Sequence, residues 1–200
     1  MRSSKQYDAS ATPHLPGLID RSLRHERSAF RQLVEEHQHY VFALAFRVVR
    51  DEEDARDVTQ ETFIRVWKHL HTYDMRTKFT TWLYTITMNL AYDQLKGNRR
   101  KRHRLSVIES SDLDNVAAPM EEEAGIVNRD LAEKIAELAG GLPPKQQKVF
   151  ILRDLQDLSV DEVARVLSMS VNSVKTNLCY ARRSIREKMQ QMDGTRRRSP

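Results

Sequence analysis

The chain has 200 residues, with 33 basic and 28 acidic side chains and a formal net charge of +5. That length holds one domain or two small ones of about 100 residues each, and no apolar run approaches the roughly 18–20 residues that span a membrane. One cysteine, Cys179, excludes an internal disulfide and a cysteine-based zinc site.

Residues 1–16 lack the apolar core of a secretory signal and are expected to form a disordered tail on a cytoplasmic protein. Pro13, Pro16 and Gly17 read as the end of that tail. Phe30, Leu33, Val34, Val41, Leu44, Ala45 and Val48 then recur at helical spacing, as do Phe63, Trp67 and Leu70, and later Trp82, Leu83, Ile86, Leu90 and Leu95. Within residues 51–70, Asp57, Gln60, Glu61 and Ile64 fall at i, i+3, i+4 and i+7, so they share one helix face beside the aromatic stripe.

A basic block follows at 96–104, with Gly97 near its start. It holds Lys96, Arg99, Arg100, Lys101, Arg102 and Arg104 and no acid. Residues 105–127 hold six acids and no base, contain no aromatic and keep no period, which reads as a flexible linker. Residues 172–200 carry eight basic and two acidic groups, and 193–200 read as a second disordered tail. The modest net charge thus conceals two basic blocks separated by an acidic one, a distribution suited to holding a polyanion at two places.

The strongest local pattern lies at 159–190. Ser159 and Glu162 form a capping box that starts a short helix. Ser168, Met169 and Ser170 interrupt it, and a second helix starts near Val171. On that helix Val174, Leu178, Ala181, Ile185 and Met189 lie within about 80° of one another at about 100° per residue. Asn172, Thr176, Cys179, Tyr180, Arg183 and Arg186 lie opposite, with Lys175 and Arg182 on a flank. This is a helix-turn-helix pattern, in which the second helix enters the DNA major groove. No convincing strand pattern occurs anywhere. The expected fold is therefore all-α: two small helical domains, 17–104 and 128–192, joined by the flexible acidic linker 105–127.

The string DEEDARDVTQETFIRVW, followed by TKFTTWLYTITMNLAYDQLKGNRRKR, resembles region two of the extracytoplasmic-function sigma factors of bacterial RNA polymerase. LPPKQQKVFILRDLQDLSVDEVARVLSMSVNSVKTNLCYARRSIREKM resembles their region four. The resemblance covers about residues 17–191, and two motifs in the family's order are highly specific. It implies that Asp57, Gln60 and Glu61, with Ile64 on the same face, dock on core RNA polymerase. It implies that Phe79, Trp82, Tyr84 and Asn89 belong to the segment that reads and opens the −10 promoter element, by stacking on and hydrogen-bonding to single-stranded bases.

The loop with Tyr73, Asp74, Arg76 and Lys78 offers a pocket for a flipped base. Lys96, Arg99, Arg100 and Lys101 would hold nearby phosphates. Asn172, Ser173, Lys175, Thr176, Cys179, Tyr180, Arg182, Arg183 and Arg186 would meet the −35 element. Asn177 and Tyr180 replace two arginines common in the family, which implies a shifted −35 preference. The family also implies a partner anti-sigma factor.

Two rival readings are an autonomous helix-turn-helix regulator, which leaves residues 51–103 unexplained, and a sigma-like decoy for an anti-sigma factor, which leaves both basic blocks unexplained. Catalysis, a cofactor and a small-molecule substrate are not expected. His37 and His39 point about 200° apart on a helix and cannot share a metal, and no nucleotide- or hydrolase-type motif occurs.

Overall fold

The computed structural model describes residues 14–105 and 134–196, all of whose regular structure is helical. The chain divides into two compact units, Met1–Ala118 and Pro119–Pro200. Leu105, expected as the first linker residue, is described and helical, whereas the rest of the expected linker (106–127), residues 128–133 of the expected second domain, and residues 1–13 and 197–200 lie outside the described residues.

The first unit holds four helices: α1 (Leu15–Leu23), α2 (Arg27–Val49), α3 (Glu52–His69) and α4 (Phe79–Leu105). Helix α1 begins inside the expected tail. Pro16 stands in its first turn, where the missing N–H has no helical partner to lose, and Leu15, Leu18 and Ile19 are buried. Leu15 and Pro16, expected in the tail, therefore belong to α1. Between α2 and α3, Arg50 takes the left-handed conformation (φ 60°) and donates its N–H to the Phe46 carbonyl at 2.9 Å. Asp51 caps α3 by accepting from the Asp54 N–H at 2.9 Å. Glu52, Glu53 and Asp54 in the first turn, with Lys68 and His69 in the last, complement the helix dipole.

Helix α2 is the central element and packs against the other three. Leu33 and Val41 of α2, Phe63 and Val66 of α3, and Phe79 and Leu83 of α4 share one core with Leu15 and Ile19 of α1. Burying each of these side chains stabilises the fold by roughly 1.5–3 kcal/mol before conformational entropy is counted.

Helix α4 runs unbroken through Gly97, expected as a boundary, to Leu105. An internal glycine costs about 1 kcal/mol. Here both neighbouring amide side chains are tied down: Gln94 donates to Asp54 Oδ1 at 2.6 Å, and Asn98 donates to the other oxygen. The basic block is thus a helical continuation of α4, not a loop after it.

In the second unit, α5 (residues 134–140 of it described) precedes α6 (Pro144–Phe150), a wide π-helical turn (Ile151–Leu155), α7 (Val160–Leu167) and α8 (Val171–Arg196). Ala139, Leu142, Phe150, Ala181 and Ile185 form its core, flanked by Ile135, Leu138, Leu155 and Met189. The capping box is present in both directions. Ser159 Oγ accepts from the Glu162 N–H, and Glu162 Oε2 accepts from the Ser159 N–H at 2.8 Å. In the turn between α7 and α8, Ser168 adopts φ 51°, and the Met169 and Ser168 N–H groups close back on the Ala164 and Arg165 carbonyls. Serine here does the work usually left to glycine. Helix α8 passes Gly194, where a tail was expected, and reaches Arg196.

Candidate nucleic-acid interface

On α3, Ala55, Val58, Thr62, Phe63 and Val66 face the core. Asp57, Gln60 and Ile64 are exposed and Glu61 half-buried, all on the outward side, and Glu61 accepts from Arg65 Nε at 3.0 Å. The structure thus brings the four together as one surface, acidic and polar with an apolar edge at Ile64.

The segment after α3 is a tight, internally bonded loop. Tyr73 sits with its ring 5.4 Å from those of Phe79 and Trp82, and its hydroxyl donates to the Thr77 carbonyl at 2.6 Å. Burial, with Asp74 nearby, pushes the phenol above its ordinary pKa. Asp74 accepts from the Arg76 N–H at 3.0 Å and from its guanidinium at 2.7–3.0 Å. The guanidinium bond holds the Asp74 carboxyl below the usual carboxylate range. Asp74 and Arg76 are therefore paired with each other, and both stay exposed. Lys78 is exposed, and so is Met75 at the loop tip, which the sequence reading missed.

Two aromatic side chains expected on DNA are not available to it. Phe79 is 1% exposed, in edge contact with His37 and Tyr73, and Tyr84 is 4% exposed. Helix α4 packs on both α2 and α3, so its buried arc is wide enough to take in both rings. Trp82 is half-buried against Tyr73 and Phe79, whereas Asn89 and Lys96 are exposed on the outer side of α4. Arg99, Arg100 and Lys101 lie on the helical continuation, but their side chains are outside those described. His37 is buried, its Nδ1 donating to the Leu33 carbonyl at 2.9 Å, and His39 is exposed, so the two do face apart.

On α8 the seam Val174, Leu178, Ala181 and Ile185 is buried. Asn172, Lys175, Thr176, Cys179, Tyr180, Arg182, Arg183 and Arg186 are all exposed, with Ser173 half-buried at the first turn, where its N–H meets Ser170 Oγ at 3.2 Å. Tyr180 is an open aromatic surface at 55% exposure. Asn177 turns onto its own helix, donating to the Ser173 carbonyl at 2.8 Å.

The basic residues differ in what holds them. Arg182 reaches Asp154 on the π-helical turn with two hydrogen bonds, of 2.8 and 2.6 Å. Arg183 donates to Glu187 one turn on at 2.8 Å. Lys175 and Arg186 make no ion pair among the described residues. Asp154 is a residue that sequence reading did not single out. Its signal, an acid 28 positions before an arginine, has no periodicity to reveal it.

The Sigma-70 region 2 family matches residues 33–101, and Sigma-70, region 4 matches residues 132–185. The chain is 30% identical over 179 residues to the ECF RNA polymerase sigma-E factor of Escherichia coli K12, covering 86% of this chain and 93% of that one. This chain belongs to the extracytoplasmic-function (ECF) RNA polymerase sigma factors. The ECF factor SigW of Bacillus subtilis is 26% identical over 172 residues, covering 84% of this chain and 92% of its own. The sigma factor RpoE of Bartonella quintana, solved with the anti-sigma factor NepR, shares the fold. Its TM-score is 0.65 at 17% identity, over 80% of this chain and 96% of that one.

Sigma factors are transcription initiation factors. In this ECF sigma factor the region-2 match begins within α2 and ends on the basic continuation of α4, and the region-4 match takes in α6, α7 and most of α8. No helix among the described residues is long and apolar enough to cross a membrane, and no group of His, Cys, Asp or Glu among them is placed to hold a metal ion.

Proposed function

We propose that this ECF sigma factor binds core RNA polymerase through the outward face of α3, opens and reads the −10 element with the loop after α3 and the outer side of α4, and binds the −35 element with α8. It has no chemistry of its own and works in the cytoplasm. The −10 set divides in two. Lys78, Trp82, Asn89 and Lys96, with the loop from Tyr73 to Arg76, meet DNA, while Phe79 and Tyr84 hold the loop and helix in place. Arg99, Arg100 and Lys101 continue the same helix toward phosphates. Residues 105–127 link the two DNA-binding units.

The observation that carries this reading is the outward face of α3. Asp57, Gln60, Glu61 and Ile64 stand clear of the core on a helix whose other side is fully packed. A regulator that binds DNA without polymerase has no use for such a face. A decoy would need the α3 face but not the exposed basic face of α8. The Bartonella quintana factor is held by an anti-sigma partner, and we propose the same class of partner here.

Promoter-specific runoff transcription with purified core polymerase tests the whole. Specific initiation on at least one genomic promoter is expected. Tight duplex binding by the free protein, with no specific initiation on any, would overturn it in favour of the autonomous regulator.

A further inference from the structure

We propose that Asp154 is a positioning residue for −35 recognition: it holds Arg182 off the DNA and fixes the rotation of α8 on the body of its unit. The proposal rests on the reading of α8 as the recognition helix. Arg182 stands exposed on the flank of α8, between the buried seam and the residues that would meet DNA. Its guanidinium lies fork to fork with the Asp154 carboxylate at 2.6 and 2.8 Å, across 28 residues of chain. The Asp154 hydrogen bond raises the pKa of Arg182, a side chain that is charged at working pH in any case.

Asp154 reaches this position from the π-helical turn. There the Gln156 N–H bonds the Ile151 carbonyl and the Leu158 N–H bonds the Leu152 carbonyl, each at 3.0 Å. Such turns are rare and are frequently found at functional sites. This one leaves the Asp154 side chain 18% exposed, while that of Arg182 is 51% exposed. The carboxylate is thus the anchored partner and the guanidinium the one drawn to it.

The seam Val174, Leu178, Ala181 and Ile185 supplies the burial that holds α8. Burial of apolar area is non-directional, so by itself it defines the rotation of a helix loosely. A planar bidentate pair is directional in both distance and angle. The pair therefore sets which residues of α8 point outward, and it neutralises one positive charge before DNA arrives. Arg183 differs: its partner Glu187 is exposed on the same helix and releases it easily. The phosphate-binding set on α8 is then Lys175, Arg183 and Arg186, and Arg182 acts as a strut.

The test uses the full chain bound to core RNA polymerase. Duplexes are enriched from a random-sequence pool by the wild-type complex, and one of them is compared with a scrambled duplex of equal length across a salt series. For Arg182→Ala the expected result is an unchanged salt slope, with the specific-to-scrambled affinity ratio down about fivefold or more, the low end of the cost of one lost base contact. For Asp154→Asn, which frees the arginine, the scrambled duplex should bind more tightly, with a slope steeper by about 0.9 and a reduced ratio.

A slope shallower by about 0.9 for Arg182→Ala, with the ratio unchanged, would make Arg182 an ordinary phosphate contact and overturn the proposal. So would wild-type behaviour of Asp154→Asn. If Asp154→Asn does not fold by circular dichroism, Arg182→Lys decides, because it keeps the charge and loses the fork. A fall in its ratio at constant slope supports the proposal, and an unchanged ratio overturns it. Failure of the wild-type complex to enrich any duplex overturns the recognition-helix reading itself.

Discussion

Asp54 at the start of α3 accepts a 2.6 Å hydrogen bond from the side-chain amide of Gln94, 40 residues further along the chain. Its second oxygen takes the amide of Asn98. The helix proposed to dock on polymerase and the helix proposed to meet DNA are thus joined at the point where α4 enters its basic continuation. Asp54→Ala leaves two partly buried amides without their acceptor. A loss of about 2 kcal/mol is expected, read as a lower urea midpoint of the first unit, with faster amide exchange over residues 94–98. An unchanged midpoint and exchange pattern would show that the contact is incidental.

Phe79 and Tyr84 separate from the exposed residues of α4 and the loop before it by what their loss does. Phe79→Ala should cost about 3–5 kcal/mol by emptying a core position. Asn89→Ala and Lys78→Ala should change stability by less than about 0.5 kcal/mol, as exposed positions do, yet slow promoter opening in a fluorescence assay of the −10 region. Normal opening by both exposed variants would remove them from the −10 set.

The outward face of α3 makes a separable prediction. Gln60→Ala combined with Glu61→Ala should weaken binding to core polymerase in a titration, while the melting temperature stays within a few degrees of wild type. Loss of the exposed Glu61–Arg65 pair is worth under about 1 kcal/mol. Retained core affinity would place the docking surface elsewhere.

His37 gives the first unit a pH dependence whose sign follows from its burial. Burial pushes the imidazole below its ordinary value of 6.5, and the Leu33 hydrogen bond and Glu36 only partly oppose it. Above that value neither the folded nor the unfolded chain holds the proton, so stability is complete there. As pH falls below it, the unfolded chain takes up a proton that the folded one refuses. Stability then drops with a slope of up to about 1.4 kcal/mol per pH unit. Urea midpoints at pH 7.5 and 5.5 should differ more for wild type than for His37→Gln. Equal differences would mean that His37 is protonated in the folded state.

Ser168 sits in a backbone region that costs an ordinary residue roughly 1–2 kcal/mol. Ser168→Gly should raise the stability of the second unit by up to about 1 kcal/mol, after the greater freedom of glycine in the unfolded chain is offset. Ser159→Ala should lower it by about 1 kcal/mol. Thermal melts of the two variants should shift in opposite directions, and a shift of both the same way would contradict the cap geometry.

Much of this architecture was legible in the sequence because it rests on periodicity. The seam of α8, the Ser159–Glu162 box and the outward set on α3 are patterns with a period, and the backbone reproduces them. The burial of Phe79 and Tyr84 is not legible in the sequence, because an aromatic ring suits a core and a base stack equally well. What decides is the width of the buried arc, and that depends on α4 having two partners. Gly97 misled because its helix cost is local, whereas the compensation from Asp54 comes from 40 residues away. Asp154 and Arg182 were invisible as a pair for the same reason. Single polar contacts between distant positions leave no repeat in the chain.

Cys179 is the chain's only thiol, and it stands exposed on the outer face of α8, one turn before Arg183. A reagent coupled there needs no competing cysteine removed beforehand. A fluorophore at that sulfur would report docking of the face in real time, and a strand-cleaving chelate would print the position of α8 onto any DNA it approaches.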